Sequence, residues 1–127
     1  MFEAKQILIV LAGGGCGAVA RYMVSTILAN RFGTQFPYGT LVVNVVGCFI
    51  MGFFMILTTE RFLVSPYWRL LVTVGFLGGL TTFSSFGFET MQLLRDGNMT
   101  HAFMNIGANV FLGFLSVWLG ILAAKAI

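Results

Sequence analysis

The side chains in this 127-residue chain whose types and spacing could do chemistry cluster in one block, Gly75-Phe-Leu-Gly78-Gly79-Leu-Thr81-Thr82-Phe83-Ser84-Ser85-Phe86-Gly87. Phe83 and Phe86 are spaced i, i+3, so helical backbone there stacks their rings along one face. A phenyl ring carries partial positive charge at its edge. Set among Thr81, Thr82, Ser84 and Ser85, such edges and the neighbouring hydroxyl donors could together replace the water around an anion without a trapping cation. Weak binding at several points is what fast passage needs. Phenyl rings also pack cores and face lipid, and this chain has 14 of them, so the setting of these two is what singles them out.

Carboxamides form a second group. Asn105, Asn109 and Ser116 fall at i, i+4 and i+11, which at 3.6 residues per turn aligns them on one stripe with Gly113 in the gap. An uncharged hydrogen-bonding stripe suits passage of something that carries its own charge, and helix–helix packing is the competing use. Asn44 is the one amide in its apolar segment, where exposure to lipid would be costly, so it must face a partner helix or water. Interhelical glue worth about 0.6–2 kcal/mol and a place on a pathway both stay open for Asn44.

The elements that position these groups are set by composition. Apolar residues make up 58% of the chain and charged residues 9%, which leaves too little polar surface to cover a soluble globule. Mean hydropathy of +0.95 agrees. Crossing roughly 30 Å of hydrocarbon takes about 20 helical residues. Four stretches qualify: approximately Gln6–Ala29, Tyr38–Thr58, Trp68–Leu94 and Ala102–Ala124. The expected class is therefore an all-α integral membrane protein, with residues 1–127 forming a single four-span transmembrane domain. Its connections are short: Asn30–Pro37, Thr59–Pro66 and Arg95–His101, the last containing Asp96-Gly97-Asn98. Four spans put both termini on one side. The third stretch, rich in glycine and hydroxyls, is expected to be broken near its middle, because such backbone is tolerated at membrane depth only inside protein or along a wet cavity.

In the first stretch, Gly13 with Gly17 and Gly14 with Ala18 make small-xxx-small faces for close helix approach. The same residues loosely match a dinucleotide-binding turn, but no carboxylate occurs between Glu3 and Glu60 to hold a ribose. A signal peptide is excluded in the same way, since apolar character continues past Cys16 to Ala29. Cys16 and Cys48 have no companions for a metal site and read as small apolar side chains. The termini side holds Lys5, Arg61, Arg69 and Lys125, the other Arg31 and Arg95, and Arg21 lies inside the first span. This excess of two allows either a sufficient positive-inside signal or insertion both ways up, which would permit an antiparallel homodimer. A net charge of +3 from scattered basic residues fits anionic lipid and does not suggest nucleic acid.

The order Gly39-Thr40-Leu41-Val42-Val43-Asn44, then Gly75 to Phe86, with Arg21 in the first span, resembles the Fluc (CrcB-type) fluoride channels of microorganisms across the whole chain. The resemblance implies a dual-topology antiparallel homodimer in the cell membrane, the inner membrane for a bacterium. It also implies two fluoride pores, a central structural sodium ion and a broken third helix. By motif, Phe83 and Phe86 correspond to the phenylalanines lining the fluoride path and Asn44 to the pore asparagine. Thr82, Ser84, Asn105 and Asn109 fall beside them on the expected path. Gly78 and Thr81 correspond to the positions whose main-chain carbonyls, from both subunits, hold sodium. Arg21 resembles the arginine near a wide aqueous vestibule, and a snorkelling or salt-bridged side chain is its other reading. Some relatives carry a tyrosine and serines on the fourth helix where this chain has Asn105, Asn109 and Gly113. Glu89, near one end of the third helix, fits either a pore-mouth or a helix-surface charge.

The implied function is passive fluoride movement without cofactor chemistry. Two rivals differ in class. A small dual-topology multidrug-type exporter would need an acidic residue in the first span, and Gln6–Ala29 has none. A non-transporting membrane scaffold would use the packing faces but leaves the polar features unexplained. No enzyme is expected, because His101 lies at a loop with no nucleophile or metal cluster.

Overall fold

The computed structural model describes all residues 1–127 and is helical throughout, with no strand. Four helical rods are long and apolar enough to cross a membrane, Ala4–Phe32, Tyr38–Arg61, Pro66–Arg95 and Met99–Lys125. Each overshoots its expected span by up to three residues at an end, because interfacial residues extend the helix beyond the apolar run.

The first rod is one helix, α1 (Ala4–Phe32), stopped by Gly33 at φ 83°, a left-handed conformation that glycine adopts without strain. The second is α2 (Tyr38–Ile56), which runs into a π-helical turn at Leu57–Arg61. The third begins as α3 (Pro66–Arg69), where proline takes the first helical position and the Ser65 hydroxyl accepts from the Tyr67 N–H at 3.3 Å. It continues π-helically over Leu70–Leu77 into the short α4 (Gly78–Leu80). Thr81 and Thr82 then adopt extended backbone, at φ −85°, ψ 154° and φ −153°, ψ 122°. Helix resumes as α5 (Phe83–Arg95), and Gly97 at φ 77° turns the chain after it. The fourth rod comprises α6 (Met99–Gly107), capped by the Asn98 side chain, a π-helical stretch Ala108–Leu112, and α7 (Gly113–Lys125). π-Helical turns are uncommon and recur at functional positions. Here one precedes the extended pair and another follows Asn105.

Packing follows the small residues. α1 lies along the first half of the third rod, and α2 along α7. A Cβ on Gly13 would sit 2.6 Å from the Leu71 carbonyl oxygen, and one on Gly17 would collide with the Phe76 carbonyl. Gly52 and Gly120 play the same part between α2 and α7, against the carbonyls of Val117 and Phe49. Backbones that approach this closely gain dispersion contacts in a medium where burial from water supplies no drive.

Only 19 of the 127 residues are buried, and exposed apolar side chains cover the rods from Ile7 to Leu122. Such a surface is stable only against lipid or another apolar partner. With four apolar rods, the chain is a multi-pass membrane protein. One end of the bundle gathers the Arg61 guanidinium, which donates to the Lys125 carbonyl, and the Lys5 ammonium, 4.1 Å from the Tyr67 ring centroid. At the other end Phe36 meets His101 edge-on at 5.7 Å.

Candidate functional site

The extended pair Thr81–Thr82 creates the site. In an unbroken helix the Thr82 N–H would close on the Gly78 carbonyl. Instead it donates to Oδ1 of Asn44, on α2, at 2.8 Å. Nδ2 of Asn44 donates back to the Thr82 carbonyl at 3.0 Å. One carboxamide can serve both groups because extended backbone turns a residue's own N–H and C=O to the same side, as in an antiparallel ladder. The Gly78 carbonyl is thereby released from its i+4 donor, and Gly78 itself is exposed.

Thr82 also caps α5. Its hydroxyl accepts from the Ser85 N–H at 3.1 Å and lies 3.3 Å from the Ser84 hydroxyl. Helix N-termini present unpaired N–H groups and partial positive charge, so this first turn favours negative charge beside it. Phe83 and Phe86 leave the same turn with ring centroids 5.5 Å apart at 64°, an edge-to-face pair. Phe86 is buried, whereas Phe83 is 83% exposed and projects from the chain.

A cavity of about 320 Å³ opens against the break. Asn44, Thr81, Thr82, Phe83, Phe86 and Asn109 line it with Gly47, Cys48, Met51, Leu77, Val110 and Val117. Of the residues singled out by sequence, it therefore gathers Asn44, Thr81, Thr82, Phe83, Phe86 and Asn109. Ser84 touches it only through Thr82. Asn105, fully buried, stands behind Asn109. Arg21 is half-buried on α1, outside the lining, one turn from Ser25.

Of the expected fourth-rod stripe, Asn105 and Asn109 form a hydrogen-bonded row, which Ser116, beyond the π-helical stretch, does not join. Nδ2 of Asn44 donates to Oδ1 of Asn109 at 3.0 Å. Nδ2 of Asn109 donates to the carbonyl and to Oδ1 of Asn105, at 2.9 and 3.0 Å. Asn105 in turn donates to the Thr90 hydroxyl at 2.9 Å, and Thr90 to the Phe86 carbonyl at 2.8 Å.

A second cavity of about 230 Å³ was not foreseen as a unit. Ser25, Thr34, Tyr38, Thr40 and Glu89 are among its lining residues. The Thr40 hydroxyl donates to Oε1 of Glu89 at 2.8 Å, and Oε2 is buried with no hydrogen-bond partner. Two signals in the sequence pointed here. Thr40 precedes Asn44 by four residues, hence shares its helix face, and Glu89 is the one carboxylate within an expected span.

Nothing in this constellation is a nucleophile–base pair or a metal cluster of side chains. Its chemistry is that of neutral dipoles and ring edges beside a cavity of mixed polar and apolar lining. A family model described as "CrcB-like protein, Camphor Resistance (CrcB)" matches residues 8–121. The chain belongs to the CrcB-like family. Curated relatives in this family agree over nearly full length. The fluoride-specific ion channel FluC of Solibacter usitatus is 50% identical over 95% of this chain and 98% of its own. The protein of the same name from a Sulfurihydrogenibium species is 47% identical over the same shares, and that of a Geobacter species 42% over 97% and 99%. These CrcB-like relatives are named as ion channels, and none of them as an enzyme.

Proposed function

We propose that this chain is a fluoride-selective passive channel of the cell membrane, the inner membrane in a bacterium, which lets fluoride leave down its electrochemical gradient. The observation that carries the reading is the helix interruption at Thr81–Thr82. It combines a capped helix start, two hydroxyls and an edge-to-face phenyl pair beside a cavity. Fluoride is small and strongly hydrated, so a selective path must replace lost water with several donors at short range. The Thr82 and Ser84 hydroxyls, the first turn of α5 and the ring edges of Phe83 and Phe86 can do this, and Asn44, Asn105 and Asn109 form the wall behind them. Arg21, at a wide vestibule, raises the local anion concentration.

The working unit in this reading is an antiparallel dual-topology homodimer with two pores. Support comes from the exposure of Phe83 and of the apolar rod faces, which a second copy would cover. A weak charge bias between the two ends is compatible with insertion both ways up. A structural sodium ion between the two chains fits the released backbone oxygens. Carbonyls freed by a helix break are hard ligands suited to a small hard cation, and Gly78 and Thr81 would supply them from each subunit. Such an ion would hold the two breaks in register.

Purified protein in liposomes loaded with fluoride or chloride tests the function by ion-selective electrode. Rapid fluoride release with chloride retained is expected. Equal release of both anions, or none of fluoride, would overturn the proposal.

A further inference from the structure

The obvious role for a pore-lining asparagine is to donate its N–H groups to the passing anion. Hydrogen-bond valence says otherwise here. A carboxamide has two N–H donors. Both of Asn44 are engaged, one on the Thr82 carbonyl and one on Oδ1 of Asn109. Both of Asn109 have acceptors on Asn105.

The direction of the row is fixed from one end. The Thr82 N–H can only donate, so the Asn44 atom against it must be Oδ1, which turns Nδ2 toward Asn109. Asn109 must then present Oδ1 to Asn44 and Nδ2 to Asn105. Asn105 must present Oδ1 to Asn109 and Nδ2 to Thr90. The Thr90 proton closes the row on the Phe86 carbonyl. The row thus starts on the backbone at Thr82 and ends on the backbone at Phe86, with Phe83 between its two feet.

Resting on the fluoride reading above, we infer that Asn44 is a positioning residue and not an anion ligand. Asn109 and Asn105 brace it, so that the three amides act as one clamp holding the Thr81–Thr82 break and the first turn of α5 in a single geometry. The anion's donors are then the groups the clamp leaves free. Foremost is the Thr82–Ser84 hydroxyl pair, 3.3 Å apart: Thr82 accepts from the Ser85 N–H, and at most one of the two hydroxyl protons is used between them, which leaves the other free.

Asn109→Leu separates a clamp from a ligand, because it removes the acceptor for one Asn44 N–H and leaves that donor free in the cavity. The clamp predicts a maximal fluoride efflux lowered about tenfold, as expected for one stranded buried donor, with the half-saturating fluoride concentration unchanged. It also predicts amide hydrogen exchange faster by about the same factor at Thr82. Exchange across the α2–α7 contact should stay at the wild-type rate, which marks an intact fold. The double variant Asn44→Leu with Asn109→Leu should be no slower than Asn44→Leu alone. If Asn109→Leu does not assemble, Asn109→Thr is read by the same measurements.

Unchanged efflux in the variant, a lowered half-saturating concentration, or additive losses in the double variant would overturn the inference. Should the wild-type protein release no fluoride, the channel reading fails, yet the exchange measurement still decides the clamp: faster exchange at Thr82 upholds it and unchanged exchange refutes it.

Discussion

Replacing Asn44 by aspartate changes one atom and reverses two interactions. In the native chain Nδ2 sits 3.0 Å from the Thr82 carbonyl oxygen and 3.0 Å from Oδ1 of Asn109. An ionised Asn44→Asp side chain would put a carboxylate oxygen against both acceptors while still accepting from the Thr82 N–H. Each lost bond that strands a buried partner costs about 1–3 kcal/mol, so two give about 2–6 kcal/mol. If only the lower figure enters the barrier for passage, the rate falls about thirtyfold at roughly 1.4 kcal/mol per factor of ten. A negative charge beside the path adds to this for an anion. The assay is fluoride efflux from liposomes by electrode, with a melting curve in detergent to confirm folding. Lowering the pH should partly restore the variant, because a protonated carboxyl regains one donor. The wild-type amide does not titrate, so its efflux should lack that component. Efflux within twofold of wild type at neutral pH would refute this account of Asn44.

Phe83→Ile and Phe86→Ile should each lower fluoride efflux, and Phe86→Ile, which thins packing inside the chain, should also lower the melting temperature. Normal efflux in both would remove the phenyl edges from the path. Thr82→Val loses the cap on the Ser85 N–H, worth about 1 kcal/mol, together with one hydroxyl of the Thr82–Ser84 pair. Its efflux should fall further than its stability, and equal efflux in the two proteins would contradict the hydroxyl's role. Gly17→Val would drive a side chain into the Phe76 carbonyl. A loss of about 1–3 kcal/mol by thermal or denaturant unfolding is expected, with none contradicting the close α1 packing.

Much of the architecture was legible in the sequence for simple reasons. Four apolar runs have no alternative to four rods at membrane depth, and Gly13 and Gly17 advertised the close α1 contact. The i, i+4 spacing of Asn105 and Asn109 foretold a shared face. What could not be read was the direction in which those amides point. Periodicity places them on a stripe but does not say that their donors are consumed by one another, nor that Asn44 reaches across to the backbone of Thr82. That pairing joins residues 38 apart and depends on two extended threonines, whose conformation no local pattern specifies. For Thr40 and Glu89 the sequence marked each residue separately but not their pairing, which is a contact between separate rods. Sequence also could not tell that Phe83 would project outward while Phe86, three residues on, would be buried, because that depends on where neighbouring rods end.

The account stands or falls on whether a bare fluoride ion crosses the protein in preference to other anions. Current through the reconstituted protein in a planar bilayer, with fluoride on one side and chloride on the other, measures this directly. The reversal potential is predicted to follow the fluoride gradient and to ignore changes in chloride. A reversal potential that tracks chloride, or the absence of any fluoride current, would contradict it.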